Sequence, residues 1–230
     1  MTAPLPGAAA AASQGGFRAR VRHLGEPVAL FFGRLGLSPN ALTVIGFLIT
    51  VVGAALAAAG LWLVAGIVVF LGGAFDMFDG ALARATGRTS RIGAFLDSIF
   101  DRWGESVVYI GIVIGCLNSG FQLGAGLAAV AMSEAFLVSY ARARAESLGL
   151  STGRGMAAVG LAPREVRLVI VTLGLLISGL LGGVQAAAAT QSNGASAIAV
   201  ALAAIAILAT ITVIQRIIHV TKQAATTDGK

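Results

Sequence analysis

Six stretches of apolar residues, each close to 20 residues long, dominate this sequence of 230 residues. A helix of about 20 apolar residues crosses the roughly 30 Å hydrocarbon core of a bilayer. Only 11% of the residues are charged, which leaves little room for a separate soluble domain. We therefore predict an all-α membrane protein with six transmembrane helices, at about residues 41–60, 62–84, 93–117, 122–145, 165–184 and 195–218.

The residues outside these stretches divide into short segments. Residues 1–16 are rich in Ala, Gly, Pro and Ser, and we predict a disordered cytoplasmic tail. Residues 17–36 mix apolar side chains with four arginines, which is typical of an amphipathic helix on the membrane surface. Ser38-Pro39-Asn40 then gives a helix start. We expect the six-helix domain to cover residues 37–222 and a second cytoplasmic tail to cover residues 223–230.

The positive charges predict the orientation in the membrane. All sixteen Lys and Arg residues fall on one side of the predicted helices or in helix ends adjoining that side. The turns on the other side, at residues 60, 118–120 and 185–194, contain none. By the positive-inside rule we predict a protein of the cell membrane with both termini on the cytoplasmic side. The net charge is +6, but aromatic residues do not alternate with the basic ones as they do on a nucleic-acid-binding surface. We therefore predict that the basic residues contact anionic headgroups and phosphorylated substrates.

Four aspartates lie near the junction of the second and third predicted helices. Asp76 and Asp79 are three residues apart and share a helix face, and Asp97 and Asp101 are four apart and also share one. The short connection at residues 85–92 makes the two helices antiparallel neighbours. We therefore expect the four carboxylates to converge.

Converging ionised carboxylates at the edge of a bilayer repel one another and are costly to desolvate. Divalent cations would neutralise them, and oxygen ligands favour Mg²⁺, Mn²⁺ or Ca²⁺. Two ions about 3.5–4 Å apart can clamp a pyrophosphate. The alternative is simple ion pairing with nearby arginines, but four acids at helical spacing favour a metal site.

The segment from Asp76 to Asp101 resembles a known enzyme signature. It matches D-x2-D-G-x2-A-R-x8-G-x3-D-x3-D of the CDP-alcohol phosphotransferases at all eight specified positions over 26 residues. The resemblance implies a homodimeric membrane enzyme that transfers a phosphatidyl-type group from a CDP-linked lipid, such as CDP-diacylglycerol, to a small alcohol. It also implies two Mg²⁺ or Mn²⁺ ions bound by Asp76, Asp79, Asp97 and Asp101, with Asp101 as the general base.

The same resemblance implies contacts to the CDP group. These would come from the signature and from the stretch Ser38 to Thr43: Asn40, Thr43, Gly80, Ala83, Arg84 and Gly93.

A second group of arginines bears on the acceptor alcohol. Their planar donors suit a doubly charged phosphate, and they resemble the acceptor-binding residues of the phosphatidylinositol-phosphate synthases, which use inositol 1-phosphate. Gly160-Leu-Ala-Pro163 departs from that pattern because it lacks an acidic residue. Glycerol 3-phosphate, which also requires a cationic pocket, stays an alternative, as does a simple role in topology and headgroup binding. The residues are Arg142, Arg144, Arg164, Arg167 and Arg216.

A divalent-cation transporter is the alternative from another class, because it too needs intramembrane carboxylates. The second and third predicted helices are apolar beyond their cytoplasmic ends, whereas a conduction path needs polar groups across the membrane. Glu105 lies one turn beyond Asp101, where we expect it to support Arg102 or the metal site. Glu134, within the fourth predicted helix, should face protein or a polar cavity.

Overall fold

The structure is a computed structural model that describes residues 27–150, 159–185 and 192–228. These described residues contain helices and turns and no strand, as expected for an all-α protein. The predicted tail at residues 1–16 and residues 17–26 of the predicted amphipathic helix lie outside them. The helices are α1 (27–34), α2 (Pro39–Ala58), α3 (Trp62–Ala85), α4 (Arg91–Asn118), α5 (Gln122–Ser147), α6 (Arg164–Leu180) and α7 (Asn193–Asp228).

Helices α2 to α7 coincide with the six predicted apolar stretches, apart from small shifts at their ends. The largest difference is at α7, which continues to Asp228 although its apolar stretch ends near residue 218. Residues 217–228 contain neither Gly nor Pro, so nothing in the sequence stops the helix there. Helix α6 ends at Leu180, just before the glycines at 182 and 183.

Four helices are long and apolar enough to cross a membrane: α2, α3, α5 and α7. Helix α4 has 28 residues, but its charged side chains are concentrated in its first half. Helix α6 is apolar after its first turn and has 17 residues. By length and composition, the described residues therefore contain four candidate membrane spans.

A serine precedes each of two helices, α2 and α4, and caps its first turn. The Ser38 hydroxyl accepts a hydrogen bond from the Ala41 N–H at 3.2 Å, ahead of α2. The Ser90 hydroxyl accepts one from the Gly93 N–H at 2.9 Å, ahead of α4. Each serine thus satisfies an N–H that the helix itself leaves without a partner.

The chain divides into two compact units, and three helices run through both. The small unit contains the described residues 27–47 and 73–100. Its core combines Leu42 and Leu82, both buried, with three phenylalanine rings whose centroids are 5.4 to 6.2 Å apart. These rings belong to Phe32, Phe75 and Phe78, so α1 packs against the end of α3.

The large unit contains the described residues 48–72, 101–150, 159–185 and 192–228. Small side chains bring its helices close together. On α5 buried alanines recur every three or four residues from Ala125 to Ala135, and on α4 Gly111 lies directly against the backbone of α2. Close approach at small residues is the usual way in which membrane helices gain packing energy.

The contact at Gly111 predicts a strong effect of one added methyl group. A Cβ at this position would lie 2.2 Å from the carbonyl oxygen of Ala54. Gly111→Ala should therefore destabilise the protein by about 1–3 kcal/mol, because α2 and α4 must move apart. Thermal unfolding in detergent measures this loss. Gly126→Ala on α5 is the control, since its Cβ meets nothing within 4 Å, and equal melting temperatures for the two variants would contradict the prediction.

Candidate active site

Two of the four signature aspartates, Asp76 and Asp97, lie close together in the small unit. Asp76 is on α3, Asp97 is on α4, and Asp101 follows Asp97 by one turn of the same helix. One carboxylate oxygen of Asp76 lies within 4.8 Å of one of Asp97. All three side chains are partly buried. Such a set of hard oxygen donors fits Mg²⁺ or Mn²⁺.

The fourth aspartate, Asp79, is held differently. Its Oδ2 accepts a hydrogen bond of 2.5 Å from the Thr43 hydroxyl of α2, and its Oδ1 accepts one from the Gly80 N–H. The residue is 5% exposed. A buried carboxylate needs such donors, since each replaces water that it has lost. Thr43 is therefore a direct partner of Asp79, and this pairing across 36 residues left no signal in the sequence.

A cavity of about 200 Å³ opens in the small unit beside these acids. All six residues for which the sequence predicts CDP contacts line it, and so do Asp79 and Asp97. The sequence-based prediction did not single out several further lining residues. Ser90 had one usable signal, its position three residues before Gly93, where a helix N-cap is expected. The remaining lining residues are Pro39, Arg88, Thr89, Ser90 and Ala94.

Two glycines keep polar atoms of this cavity close to the backbone. A Cβ at Gly93 would lie 3.0 Å from Ser90 Oγ and 3.3 Å from Asn40 Oδ1. A Cβ at Gly80 would lie 3.1 Å from Arg84 Nη1. The absence of side chains at these two positions therefore leaves space within the polar lining of the cavity.

In the large unit, Asp101 lies between two guanidinium groups. Arg102 Nη1 donates a hydrogen bond to Asp101 Oδ2 at 3.1 Å. Arg164 Nη1, from the first turn of α6, forms an ion pair with Asp101 Oδ1 at 2.9 Å. The Arg164 side chain is 24% exposed, so it combines contact with the carboxylate and access to solvent.

Arg167 lies one turn further along α6 and is almost completely buried, at 1% exposed. Its Nε and Nη2 donate to the two carboxylate oxygens of Glu105, both at 2.7 Å, and its Nη1 donates to the Ala162 carbonyl at 2.8 Å. Fork geometry of this kind satisfies both charged groups at once. The sequence-based interpretation paired Glu105 with Arg102 or the metal site, whereas the structure pairs it with Arg167.

The other predicted acceptor-binding arginines are in two further settings. Arg216 of α7 is buried and donates to the carbonyl oxygens of Val138 and Val159. Arg142, near the end of α5, is partly exposed and donates to Glu146 at 2.9 Å, while Arg144 is exposed.

The fold and the site together define a helical membrane enzyme with an acidic metal site and a polar cavity beside it. The chain matches the CDP-alcohol phosphatidyltransferase family over residues 36–227 and belongs to this family. It is therefore a membrane CDP-alcohol phosphotransferase, a phospholipid-synthesis enzyme that depends on divalent metal ions.

Two known proteins, one of them in two crystal structures, illustrate the similarity. Archaetidylinositol phosphate synthase of Pyrococcus horikoshii is 35% identical over 167 residues, which cover 73% of this chain and 84% of that protein. A crystal structure of Mycobacterium tuberculosis phosphatidylinositol phosphate synthase with CDP-DAG bound has a TM-score of 0.73 and 29% identity, and covers 86% of this chain and 94% of that one. The same enzyme in complex with manganese and citrate has a TM-score of 0.71 and 29% identity, with 85% and 88% covered.

The Thr43–Asp79 hydrogen bond predicts a requirement for the threonine hydroxyl. Thr43→Val keeps the size of the side chain but removes the donor to a buried carboxylate, a loss of about 1.5–3 kcal/mol. Turnover should fall by about ten- to a hundredfold, as measured by CMP release.

Thr43→Ser is the matched control, because it keeps the hydroxyl and should stay close to wild type. Equal activity of the Val and Ser variants would contradict the proposed partnership. A defect confined to the KM of the CDP-linked lipid would show instead that Thr43 acts through the nucleotide.

Proposed function

We propose that the enzyme transfers the phosphatidyl-type group of CDP-diacylglycerol to inositol 1-phosphate and releases CMP. One observation carries the class of acceptor, a phosphorylated alcohol: Arg164, a partly exposed cation, lies 2.9 Å from Asp101. An acceptor that carries both a hydroxyl and a phosphate can place the hydroxyl at Asp101 and the phosphate at Arg164. The names of the relatives, archaetidylinositol phosphate synthase and phosphatidylinositol phosphate synthase, favour inositol 1-phosphate among such acceptors.

The reaction forms one oxygen–phosphorus bond and breaks another. The acceptor hydroxyl oxygen attacks the phosphorus on the lipid side of the diphosphate, and CMP leaves with the electron pair of the broken bond. Asp101 takes the hydroxyl proton as general base. When bound by Asp76, Asp79, Asp97 and Asp101, two Mg²⁺ or Mn²⁺ ions supply positive charge to the diphosphate.

The cavity of the small unit is the proposed site of the CDP group. Asn40, Thr43, Ala83 and Arg84 line it, and Gly80 and Gly93 leave space for the nucleotide. Arg84 is a cation on the wall of this cavity, and a guanidinium suits a diphosphate oxygen.

The second arginine group is the proposed acceptor pocket. In this proposal Arg142, Arg144, Arg164, Arg167 and Arg216 together supply the positive potential that attracts a phosphorylated polyol. Glycerol 3-phosphate is the second candidate acceptor, because Arg164 beside Asp101 serves any small phosphorylated alcohol.

The proposed topology has six membrane spans, with α4 and α6 added to the four longer helices. The apolar second half of α4 and the apolar body of α6 support this. Helix α1 would lie on the membrane surface as the end of the amphipathic segment. The distribution of Lys and Arg supports cytoplasmic termini and a cytoplasmic active site. We also propose a homodimer, which rests on the family resemblance.

Purified protein with CDP-diacylglycerol and one acceptor at a time tests the substrate assignment. We expect CMP release with inositol 1-phosphate in the presence of Mg²⁺ or Mn²⁺, and loss of release after chelation with EDTA. Unphosphorylated inositol is the matched control acceptor and should give little product. Faster release with glycerol 3-phosphate would replace the first assignment by the second, and release with neither phosphate would refute both.

The general-base role of Asp101 predicts a separation of binding from chemistry. Asp101→Asn should lower turnover by at least about a hundredfold, because the amide cannot take the hydroxyl proton. Binding of the CDP-linked lipid, measured by isothermal titration in detergent, should change by less than about threefold. Normal turnover in this variant would exclude Asp101 as the base.

A further inference from the structure

The turn that precedes α6, residues 159–163, is fixed by side chains from two helices. Thr212 of α7 is completely buried, and its hydroxyl accepts hydrogen bonds from the N–H groups of Leu161 and Ala162 at 3.0 and 2.9 Å. The same hydroxyl donates to the Leu208 carbonyl at 2.8 Å. One side chain of α7 thus satisfies two N–H groups of the turn.

The carbonyl groups of the same turn are bound by arginines. Arg216, one turn beyond Thr212 on α7, donates to the Val159 carbonyl at 3.1 Å. Arg167, held by both oxygens of Glu105, donates to the Ala162 carbonyl at 2.8 Å. These guanidinium groups are therefore occupied by backbone and carboxylate oxygens, and they are buried.

The turn also approaches α7 too closely for an ordinary residue. Gly160 has φ of +121°, and a Cβ there would lie 2.2 Å from the Thr212 methyl group. Helix α6 begins directly after this turn, with Pro163 as its N-cap and Arg164 as its first residue. The position of Arg164 relative to Asp101 consequently depends on how firmly the turn is held.

We propose that Thr212, Arg216 and the Glu105–Arg167 pair are positioning residues that hold the turn, and with it Arg164, where the phosphate of the acceptor binds. This inference rests on the proposed function and refines it. Arg164 contacts the acceptor, whereas Arg167 and Arg216 act through the turn. The KM for the acceptor therefore depends on the Thr212 hydroxyl, whereas the KM for the CDP-linked lipid does not.

Two substitutions at one position separate the hydroxyl from the bulk of the side chain. Thr212→Val keeps the shape but leaves the Leu161 and Ala162 N–H groups without their acceptor. It should raise the KM for inositol 1-phosphate by about tenfold, with the KM for CDP-diacylglycerol within about twofold of wild type. Thr212→Ser keeps the hydroxyl and should restore the KM for the acceptor.

Two kinetic outcomes would overturn the proposal. In one, the Val variant has an unchanged KM for the acceptor. In the other, the KM values for both substrates and the melting temperature change together and the Ser variant does not recover, which indicates general destabilisation.

The Glu105–Arg167 ion pair provides an independent test of the proposal. Glu105→Gln removes the carboxylate that holds Arg167, and it should raise the KM for the acceptor in the same selective way. Glu165→Gln is the matched control, since it makes the same chemical change at an exposed position next to Arg164. An effect of equal size in both variants would show that a general change of charge, not the position of the turn, alters the KM.

Hydrogen exchange tests the turn without any substrate. The amides of Leu161 and Ala162 should be protected in wild type and in Thr212→Ser, and should exchange at least about tenfold faster in Thr212→Val. Equal exchange rates of these two amides in all three proteins would refute the proposal that Thr212 fixes the turn. If wild-type enzyme uses neither phosphorylated acceptor, the proposed function fails, and this measurement alone then decides whether Thr212 holds the turn.

Discussion

An ionised carboxylate that is buried away from water needs a matching donor or cation, and this requirement organises the described structure. Asp79 receives the Thr43 hydroxyl and the Gly80 N–H. Glu105 receives two donors from Arg167. Asp101 lies between Arg102 and Arg164. Donors of the protein itself thus hold each of these three carboxylates in place.

The arginines divide into two groups by their exposure. Arg167 and Arg216 are buried and donate to carboxylate or carbonyl oxygens of the protein. Arg164 and Arg142 are partly exposed. A guanidinium has several donors in a fixed plane, which suits a backbone turn as well as a phosphate. The pattern of arginines in the sequence resembles an acceptor pocket. An acceptor that arrives from solvent can reach the exposed arginines but not the buried ones.

Much of the helical architecture was predictable because apolar length is a direct physical requirement of a bilayer. The predicted stretches match α2 to α7, and Ser38 with Pro39 marked the start of α2 as expected. The predictions were weaker at helix ends: α7 continues to Asp228 because polar residues without Gly or Pro extend a helix as readily as apolar ones. The charged residues of α4 and the 17-residue length of α6 explain why length and composition alone identify four candidate spans.

The sequence by itself determined the membrane character, the helix order and the acidic signature, because hydrophobic length and helical spacing are local properties of the chain. Helical spacing also brought Asp97 and Asp101 onto one face of α4. Tertiary structure alone decided that Asp79 meets Thr43, that Arg167 meets Glu105, and that Thr212 holds the turn before α6. Each of these contacts joins residues more than thirty positions apart, and such pairs are selected by the packing of neighbouring helices, which no local pattern records.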